Sequence, residues 1–353
     1  MHTRSGLKLS KSPLARHDGQ TAGASRKRVC ASVKAVDFFD GLPDDLVLLI
    51  LSKLSSTASS PSDLINLLLT CRRFNGLGTH PMVLSIISAK GLSVRATTWS
   101  ESAHQFLKRC ADAGSLEACY TLGMIRFYCL ENRGSGAAMM AKAALGSHSA
   151  ALYSLAVIQF NGSGGSKNEK DLRAGVALCA RAAYFGHIDA LRELGHCLQD
   201  GYGVKQNIGE GRRFLLLANA RELTSVFSNQ KAGSLAVAAS SLLSDFGCTV
   251  PAVQEHDVNR FMVEWFEGKG EGRDREGLRM CSHGACGRPE TRRHEFRRCS
   301  VCGVVNYCSR ACQAMHWKVA HKLDCAPMER WLDGGEGIPA AGEGGGDVNF
   351  EGQ

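Results

Sequence analysis

Seven cysteines and one histidine near the C-terminus follow a spacing that leaves few ways for this part of the chain to fold. The array reads Cys281-x4-Cys286, Cys299-x2-Cys302, Cys308-x3-Cys312 and His321-x3-Cys325. Structural zinc is held by four cysteine or histidine ligands in a closed tetrahedron, so eight ligands suit two sites. The stretch is Arg-rich and too short to build its own apolar core. The pattern therefore predicts a binding module with two Zn2+, without the open metal position of a catalytic centre.

A disulfide framework is the alternative interpretation of these cysteines. The chain begins MHTRSGLKLS, which contains no apolar signal segment, and no apolar run approaches the ~20 residues that a membrane span needs. We therefore expect no membrane association and a reducing compartment, the nucleus or the cytoplasm, where clustered cysteines bind metal. The sequence Ser25-Arg26-Lys27-Arg28 is a weak candidate for a nuclear import signal.

The residues between the ligands resemble those of the MYND zinc finger. The matching segment is CSHGACGRPETRRHEFRRCSVCGVVNYCSRACQAMHWKVAHKLDC. The resemblance implies two interleaved zinc sites. The first site would use Cys281, Cys286, Cys308 and Cys312, and the second would use Cys299, Cys302, His321 and Cys325.

Two departures from the MYND pattern affect the ligand assignment. The first cysteine pair has four intervening residues where two is commoner, and three residues separate Trp317 from His321 where two is commoner. The second departure leaves His316 as an alternative ligand. We favour His321 because it lies one helical turn before Cys325, so that both side chains face the same way.

A second recognisable block covers residues 37–90. Pro43 and two acids suit the first turn of a helix that continues LVLLILSKL, a run too apolar to be a free surface helix. A Ser/Thr/Pro linker is predicted from Ser55 to Pro61. A second helix is predicted from Ser62 through LINLLLTCRRFNGL, and a third, short helix follows Pro81.

This block resembles an F-box, with Leu-Pro at the entry, then Ile-Leu-x-x-Leu and Cys-Arg-Arg-Phe. The family is a three-helix motif that docks on a Skp-type adaptor and so joins a cullin–RING ubiquitin ligase. The resemblance implies adaptor contacts at Leu42, Pro43, Leu46, Ile50 and Leu54. A helical hairpin without a partner is the alternative.

The middle of the chain repeats itself. The strings AGSLEACYTLG, GSHSAALYSLA and FGHIDALRELG align, so that Ala118, Ala151 and Ala190 correspond. Such a period predicts an α-solenoid. The pattern resembles Sel1-like repeats, relatives of the tetratricopeptide repeat. We predict repeats over residues 97–247, with capping helices at 97–110 and 234–246.

The remaining segments complete a mainly α fold. The net charge of +8 is concentrated in a basic tail, residues 1–36, and in the finger. We predict a helix and linker at 254–277, the helix packing on an end of the repeats, then the finger at 278–326. Low complexity predicts disorder in both termini, including a Gly-rich tail at 333–353. We expect the finger and the repeats to have separate cores.

Three binding modules without a catalytic motif indicate a non-catalytic protein. The order of modules resembles a plant group of F-box proteins with a C-terminal MYND finger. This resemblance implies a substrate receptor of a Skp–cullin–F-box ligase, with repeats and finger selecting an unknown client. The alternative is a nuclear transcriptional scaffold that binds short peptides through the finger. Nucleic-acid binding through Arg292, Arg293, Arg297 and Arg298 is disfavoured because no reading helix accompanies them.

Overall fold

A computed structural model describes residue 39 and residues 41–229, 256–268 and 277–327. These residues are mostly helical, with one two-stranded sheet, which confirms the predicted mainly α class. The basic tail at 1–36, the predicted capping helix at 234–246 and the Gly-rich tail lie outside the described residues. Among the helices described, none has the length and apolar character needed to cross a membrane.

Four helices form the N-terminal block: α1 Asp44–Thr57, α2 Pro61–Leu68, α3 Arg72–Gly78 and α4 Pro81–Leu84. Their core contains Val47 and Leu51 from α1, Leu64 from α2 and Val83 from α4, all buried. A capping box between Ser60 and Asp63 begins α2.

Two predicted boundaries in this block are wrong. The segment predicted as one second helix is two helices, because Cys71 has an extended backbone (φ −155°) and its Sγ accepts the N–H of Phe74 at 3.4 Å. The predicted linker begins too early, since α1 continues to Thr57. Ser55 is buried there and its hydroxyl donates to the Val83 carbonyl at 2.8 Å. A tertiary hydrogen bond thus overrides the weak helix propensity of serine.

The repeats form a stack of helices. They are α5 Glu101–Asp112, α6 Leu116–Met124, α7 Arg133–Leu145, α8 Ser149–Asn161, α9 Leu172–Tyr184, α10 Ile188–Asp200 and α11 Ile208–Asn229. A π-helical segment, Ile125–Cys129, extends α6. Each repeat pairs a first helix (α6, α8, α10) with a second helix (α7, α9, α11).

Aligned residues make equivalent contacts from one repeat to the next. His148 and His187 are the N-caps of α8 and α10, where Ser115 caps α6. Tyr120 lies against the ring of His148 (centroids 4.9 Å apart), and Tyr153 stacks on His187 (4.6 Å). Each tyrosine of a first helix therefore packs on the N-cap of the next first helix, which fixes the stacking of the repeats.

Glycine pairs allow the two helices of a repeat to cross closely. A Cβ on Gly136 would lie 2.7 Å from the Gly123 carbonyl oxygen, and one on Gly211 would lie 2.8 Å from that of Gly195. Both distances are too short for a side chain, so these positions require glycine. In the third repeat, the buried ion pair of Arg192 with Glu222 (2.8 Å) also ties α10 to α11.

Helix α12, Asp257–Glu267, packs against the first repeat. Val258, Phe261 and Met262 are buried, and Phe261 meets the ring of Trp99 edge-on at 5.3 Å. The helix also reaches the finger, because the side-chain amide of Asn259 donates to the Ala285 carbonyl at 3.1 Å.

The finger contains the only sheet of the described residues. Strands β1 Arg297–Arg298 and β2 Asn306–Tyr307 pair antiparallel, with Arg297 opposite Tyr307. Helix α13 Arg310–His316 follows, then a π-helical segment Trp317–His321 and the short α14 Lys322–Asp324.

Candidate metal centre and its contact with the repeats

The structure brings the eight predicted ligands together as two groups of four. One group is Cys281, Cys286, Cys308 and Cys312, and the other is Cys299, Cys302, His321 and Cys325. Within each group the ligand atoms lie within 4.8 Å of one another. The grouping is the interleaved one that the MYND resemblance implies.

The spacing of the donor atoms fits zinc. In the first group, Cys308 Sγ lies 3.5 Å from Cys286 Sγ and 3.6 Å from Cys312 Sγ. In the second group, Cys299 Sγ and Cys325 Sγ are 3.8 Å apart. Zn–S bonds of ~2.3 Å in a tetrahedron separate sulfurs by about 3.8 Å, whereas a disulfide requires ~2.0 Å. These thiols are free cysteines, and four of them, or three with an imidazole, form a closed structural site.

His321, and not His316, belongs to the second group. His321 is buried and its Nε2 lies 3.5 Å from Cys302 Sγ. Zn–S and Zn–N bonds of ~2.3 and ~2.05 Å would place these atoms about 3.5 Å apart. The Nδ1 of His316 instead lies 3.0 Å from the Tyr307 hydroxyl. The π-helical turn at Trp317–His321 accommodates the extra residue after Trp317 and directs His321 toward Cys302.

Local structure explains how two ligands of the first site are held. Ser309 is the N-cap of α13, and its Oγ accepts the N–H of Cys312 at 3.0 Å. Arg288 is buried beside the site and donates to Cys286 Sγ at 3.3 Å. Burial opposes its charge, but the neighbouring Cys286 and Cys308 thiolates outweigh burial and raise the pKa of Arg288. The guanidinium therefore stays charged and offsets negative charge on the sulfurs.

The first site lies directly on helix α8 of the second repeat. The side-chain amide of Asn161 donates to the Cys308 carbonyl at 2.8 Å. The Tyr153 hydroxyl donates to Ser309 Oγ at 3.1 Å. Arg288 donates to the Ser154 hydroxyl at 2.8 Å. All three repeat residues are buried, so these bonds form in a water-poor interface where an unpaired partner is costly.

Helix α10 of the third repeat makes the next contact. The Glu193 carboxylate accepts the N–H of Ala311, in the first turn of α13, at 2.9 Å. Arg310 pairs with Asp200 at 3.0 Å and lies over the ring of Tyr202 at 4.2 Å. We call the surface that receives the finger the docking face; its residues are Tyr153, Ser154, Asn161, Ser163 and Glu193.

Arg292, one of the arginines considered for nucleic-acid binding, instead bonds the repeats of the same chain. Arg292 donates to the carbonyls of Asn161 and Gly162 at the C-terminus of α8, at 2.7 Å for Gly162. Ser163 donates to Glu295 of the finger. The positively charged side chain thus satisfies carbonyls that a helix end leaves without partners.

The expectation of separate cores for finger and repeats is wrong. The docking face is covered by the finger, and the buried hydrogen bonds between them involve residues next to the metal ligands. The sequence offered one signal: Thr121, Ser154 and Glu193 occupy the same repeat position, and all three are buried polar residues. A polar residue repeated among buried positions indicates a partner, although the partner itself could not be named.

A cavity of about 240 Å3 remains between the repeats and the finger. His187 and Tyr153 line it, together with Arg192 and Glu222. Burial lowers the pKa of His187 to about 4, and its Nδ1 accepts the N–H of Ala190 at 3.3 Å. The imidazole of His187 is thus committed to the N-cap of α10.

The predicted adaptor-binding residues lie at and after the start of α1. Leu42 precedes the helix, and its N–H donates to the Phe39 carbonyl at 3.1 Å. Pro43 is the exposed N-cap. Leu46 and Ile50 are 43% and 45% exposed, while Leu54 is half-buried. Sequence analysis missed Leu49, which is 56% exposed beside them.

Comparisons with known proteins agree with this architecture. An F-box-like model matches residues 39–84, plant tetratrico peptide repeats match residues 91–180, and the MYND finger matches residues 281–325. A solved Sel1 repeat protein from Oxalobacter formigenes shares 16% identity over 64% of this chain and 83% of its own, with a TM-score of 0.38. That score is too low to support an argument.

Two full-length relatives settle the family. F-box protein At1g67340 of Arabidopsis thaliana is 62% identical over 357 residues, covering 93% of this chain and 94% of that protein. F-box protein At5g50450 of the same plant is 58% identical over 308 residues, covering 86% of this chain and 90% of that protein. The chain belongs to this family of F-box proteins, and it combines the F-box with tetratricopeptide-like repeats and a C-terminal MYND finger.

Proposed function

We propose that this protein is the substrate-recognition subunit of a Skp–cullin–F-box ubiquitin ligase. The observation that carries the proposal is the exposed apolar stripe of α1. Leu46, Leu49 and Ile50 face away from the buried Val47 and Leu51. Residues three and four apart share a helix face, so these side chains form one continuous patch. Large apolar side chains grouped in this way on a helix surface are typical of a protein–protein contact.

The partner that fits the patch is a Skp-type adaptor, because the F-box family to which this chain belongs docks on such adaptors. The proposed role is non-catalytic, since ubiquitin transfer would occur on other subunits of the ligase. Both the family membership and the exposed stripe of α1 support the N-terminal block as the part of the chain that binds the ligase.

Client recognition is then left to the repeats and the finger. The finger covers the docking face, so the two modules would offer a client one joint surface and not two independent ones. The exposed apolar side chains of the finger are candidates for that contact; they include Val304 (75% exposed) and Trp317 (42%).

The test is co-purification of a Skp-type adaptor with the full-length chain. Leu46→Glu with Ile50→Glu should remove adaptor binding, because both positions are exposed and the change should spare the fold. Losing ~100 Å2 of apolar contact costs about 2.5 kcal/mol, which already weakens binding more than tenfold. Leu145→Glu, at an 80% exposed leucine of α7, is the matched control and should bind the adaptor normally.

Two results would count against the proposal. Retention of the adaptor by the double variant would show that α1 is not the docking surface. Absence of a Skp-type adaptor and a cullin from the wild-type complex would favour the alternative, a scaffold that acts outside ubiquitination.

A further inference from the structure

The two metal sites have different surroundings. The first site, with ligands Cys281, Cys286, Cys308 and Cys312, is contacted by residues from outside the finger. Asn161 bonds the carbonyl of a ligand, and Tyr153 bonds the N-cap serine that holds another. Glu193 caps the helix that carries Cys312. Among the described residues, the hydrogen bonds to the second group come from within the finger, such as the Val304 N–H to Cys302 Sγ at 3.5 Å. The repeats reach the segment that carries His321 through Asn219, which accepts from the Lys318 ammonium at 3.1 Å.

Helix α12 contacts the residues on either side of Cys286, a ligand of the first site. Asn259 donates to the carbonyl of Ala285, the residue before Cys286. Gly287, the residue after Cys286, has φ +66°. A Cβ at Gly287 would lie 2.5 Å from the Asn259 carbonyl oxygen. This turn of the finger is therefore pressed against α12, so the backbone on both sides of the ligand is fixed by another part of the chain.

We propose that the repeats and α12 are part of the first zinc site, and that Tyr153, Asn161 and Glu193 are positioning residues for its ligands. Residues that orient metal ligands typically change metal affinity by 10- to 100-fold when they are removed. The first zinc is then retained through docking of the finger, whereas the second is retained by the finger alone. This inference does not depend on the proposed ligase role, and it rests on zinc filling both sites.

Coupling of this kind is reciprocal. If docking on the repeats strengthens zinc binding at the first site, zinc at the first site strengthens docking by the same factor. Loss of the first zinc would then loosen the finger from the docking face, while loss of the second would not. The docking face would thereby be exposed in a larger fraction of molecules when the first site is empty.

The experiment measures zinc release from the full-length reduced protein into an excess of a chromogenic chelator. A Cys302→Ser background reports the first site, and a Cys286→Ser background reports the second. Tyr153→Phe removes only the hydroxyl that bonds Ser309 and keeps the ring that stacks on His187. Tyr184→Phe is the control, because it makes the same change at an 83% exposed tyrosine of α9 that is not part of the docking face.

Tyr153→Phe should accelerate zinc release from the first site about tenfold and leave the second unchanged. Tyr184→Phe should alter neither rate. Glu193→Ala provides a second variant, because it removes the acceptor of the Ala311 N–H, and circular dichroism checks that each variant keeps its helices. Equal release rates from the first site in wild type and in both docking-face variants would overturn the proposal. So would an equal acceleration at both sites.

Discussion

The carboxylate of Glu193, on a repeat helix, accepts the backbone N–H of Ala311 on a finger helix at 2.9 Å. Glu193 is 3% exposed, and burial raises its pKa although the bond from Ala311 opposes the rise. An acidic side chain at a helix N-terminus complements the helix dipole and satisfies an N–H that lacks an intrahelical partner. One side chain therefore joins the fold of the repeats to that of the finger.

Replacing Glu193 by Ala should destabilise the whole repeat–finger unit. The change leaves the buried N–H of Ala311 without its partner, which costs about 1–3 kcal/mol. Thermal unfolding followed by circular dichroism should show a lowered Tm. Glu210→Ala is the control, because the Glu210 side chain makes a surface ion pair with Arg213 (3.4 Å), worth less than about 1 kcal/mol. Equal Tm values for the two variants would contradict the structural role of Glu193.

The intact, reduced protein should contain two zinc ions, as measured by native mass spectrometry. Cys286→Ser and Cys302→Ser should each remove one of them. Cys286→Ser should also speed hydrogen exchange in α8 and α10, because the first site lies on the docking face. Cys302→Ser should loosen only the finger. One zinc or none in the wild-type chain would disprove the two-site assignment, and identical exchange in both variants would disprove the asymmetry.

His321→Ala should release one zinc, whereas His316→Ala should retain both. His321 Nε2 lies 3.5 Å from Cys302 Sγ, while His316 faces the Tyr307 hydroxyl. Zinc content per chain after gel filtration decides between them. Loss of zinc from the His316 variant alone would show that His316 is the ligand and His321 is not.

Stability should fall between pH 7.5 and 5.5 partly because of His187. Burial lowers its pKa from 6.5 to about 4, so in this range the unfolded chain binds a proton that the folded chain does not. Stability then rises with pH, and the histidine contributes a loss of about 1 kcal/mol at pH 5.5.

His187→Ser should reduce this pH dependence, because serine can cap α10 as Ser115 caps α6 but does not titrate. Urea unfolding at pH 7.5 and at pH 5.5 gives the two free energies to compare. His80→Ser makes the same change at the exposed N-cap of α4 and should leave the wild-type pH dependence in place. An unchanged pH dependence in the His187 variant would show that His187 is not responsible.

The sequence determined the features that depend on local spacing. The period of Ala118, Ala151 and Ala190 gave the helical repeats because small residues at a fixed interval allow close helix packing. The array of cysteines was sufficient to group the ligands once the MYND resemblance was recognised. Even the preference for His321 followed from its position one helical turn before Cys325.

Only the tertiary structure decided how the modules meet. Ser55 stays within α1 because its hydroxyl bonds Val83, which is 28 positions away in the chain. No local sequence pattern encodes this contact. The same holds for Glu193 and Ala311, 118 positions apart. A buried polar side chain in a repeat signals that some partner exists, but the partner is fixed by the packing of distant segments. The finger's place on the repeats is therefore a property of the folded chain, while its metal ligands are a property of the sequence.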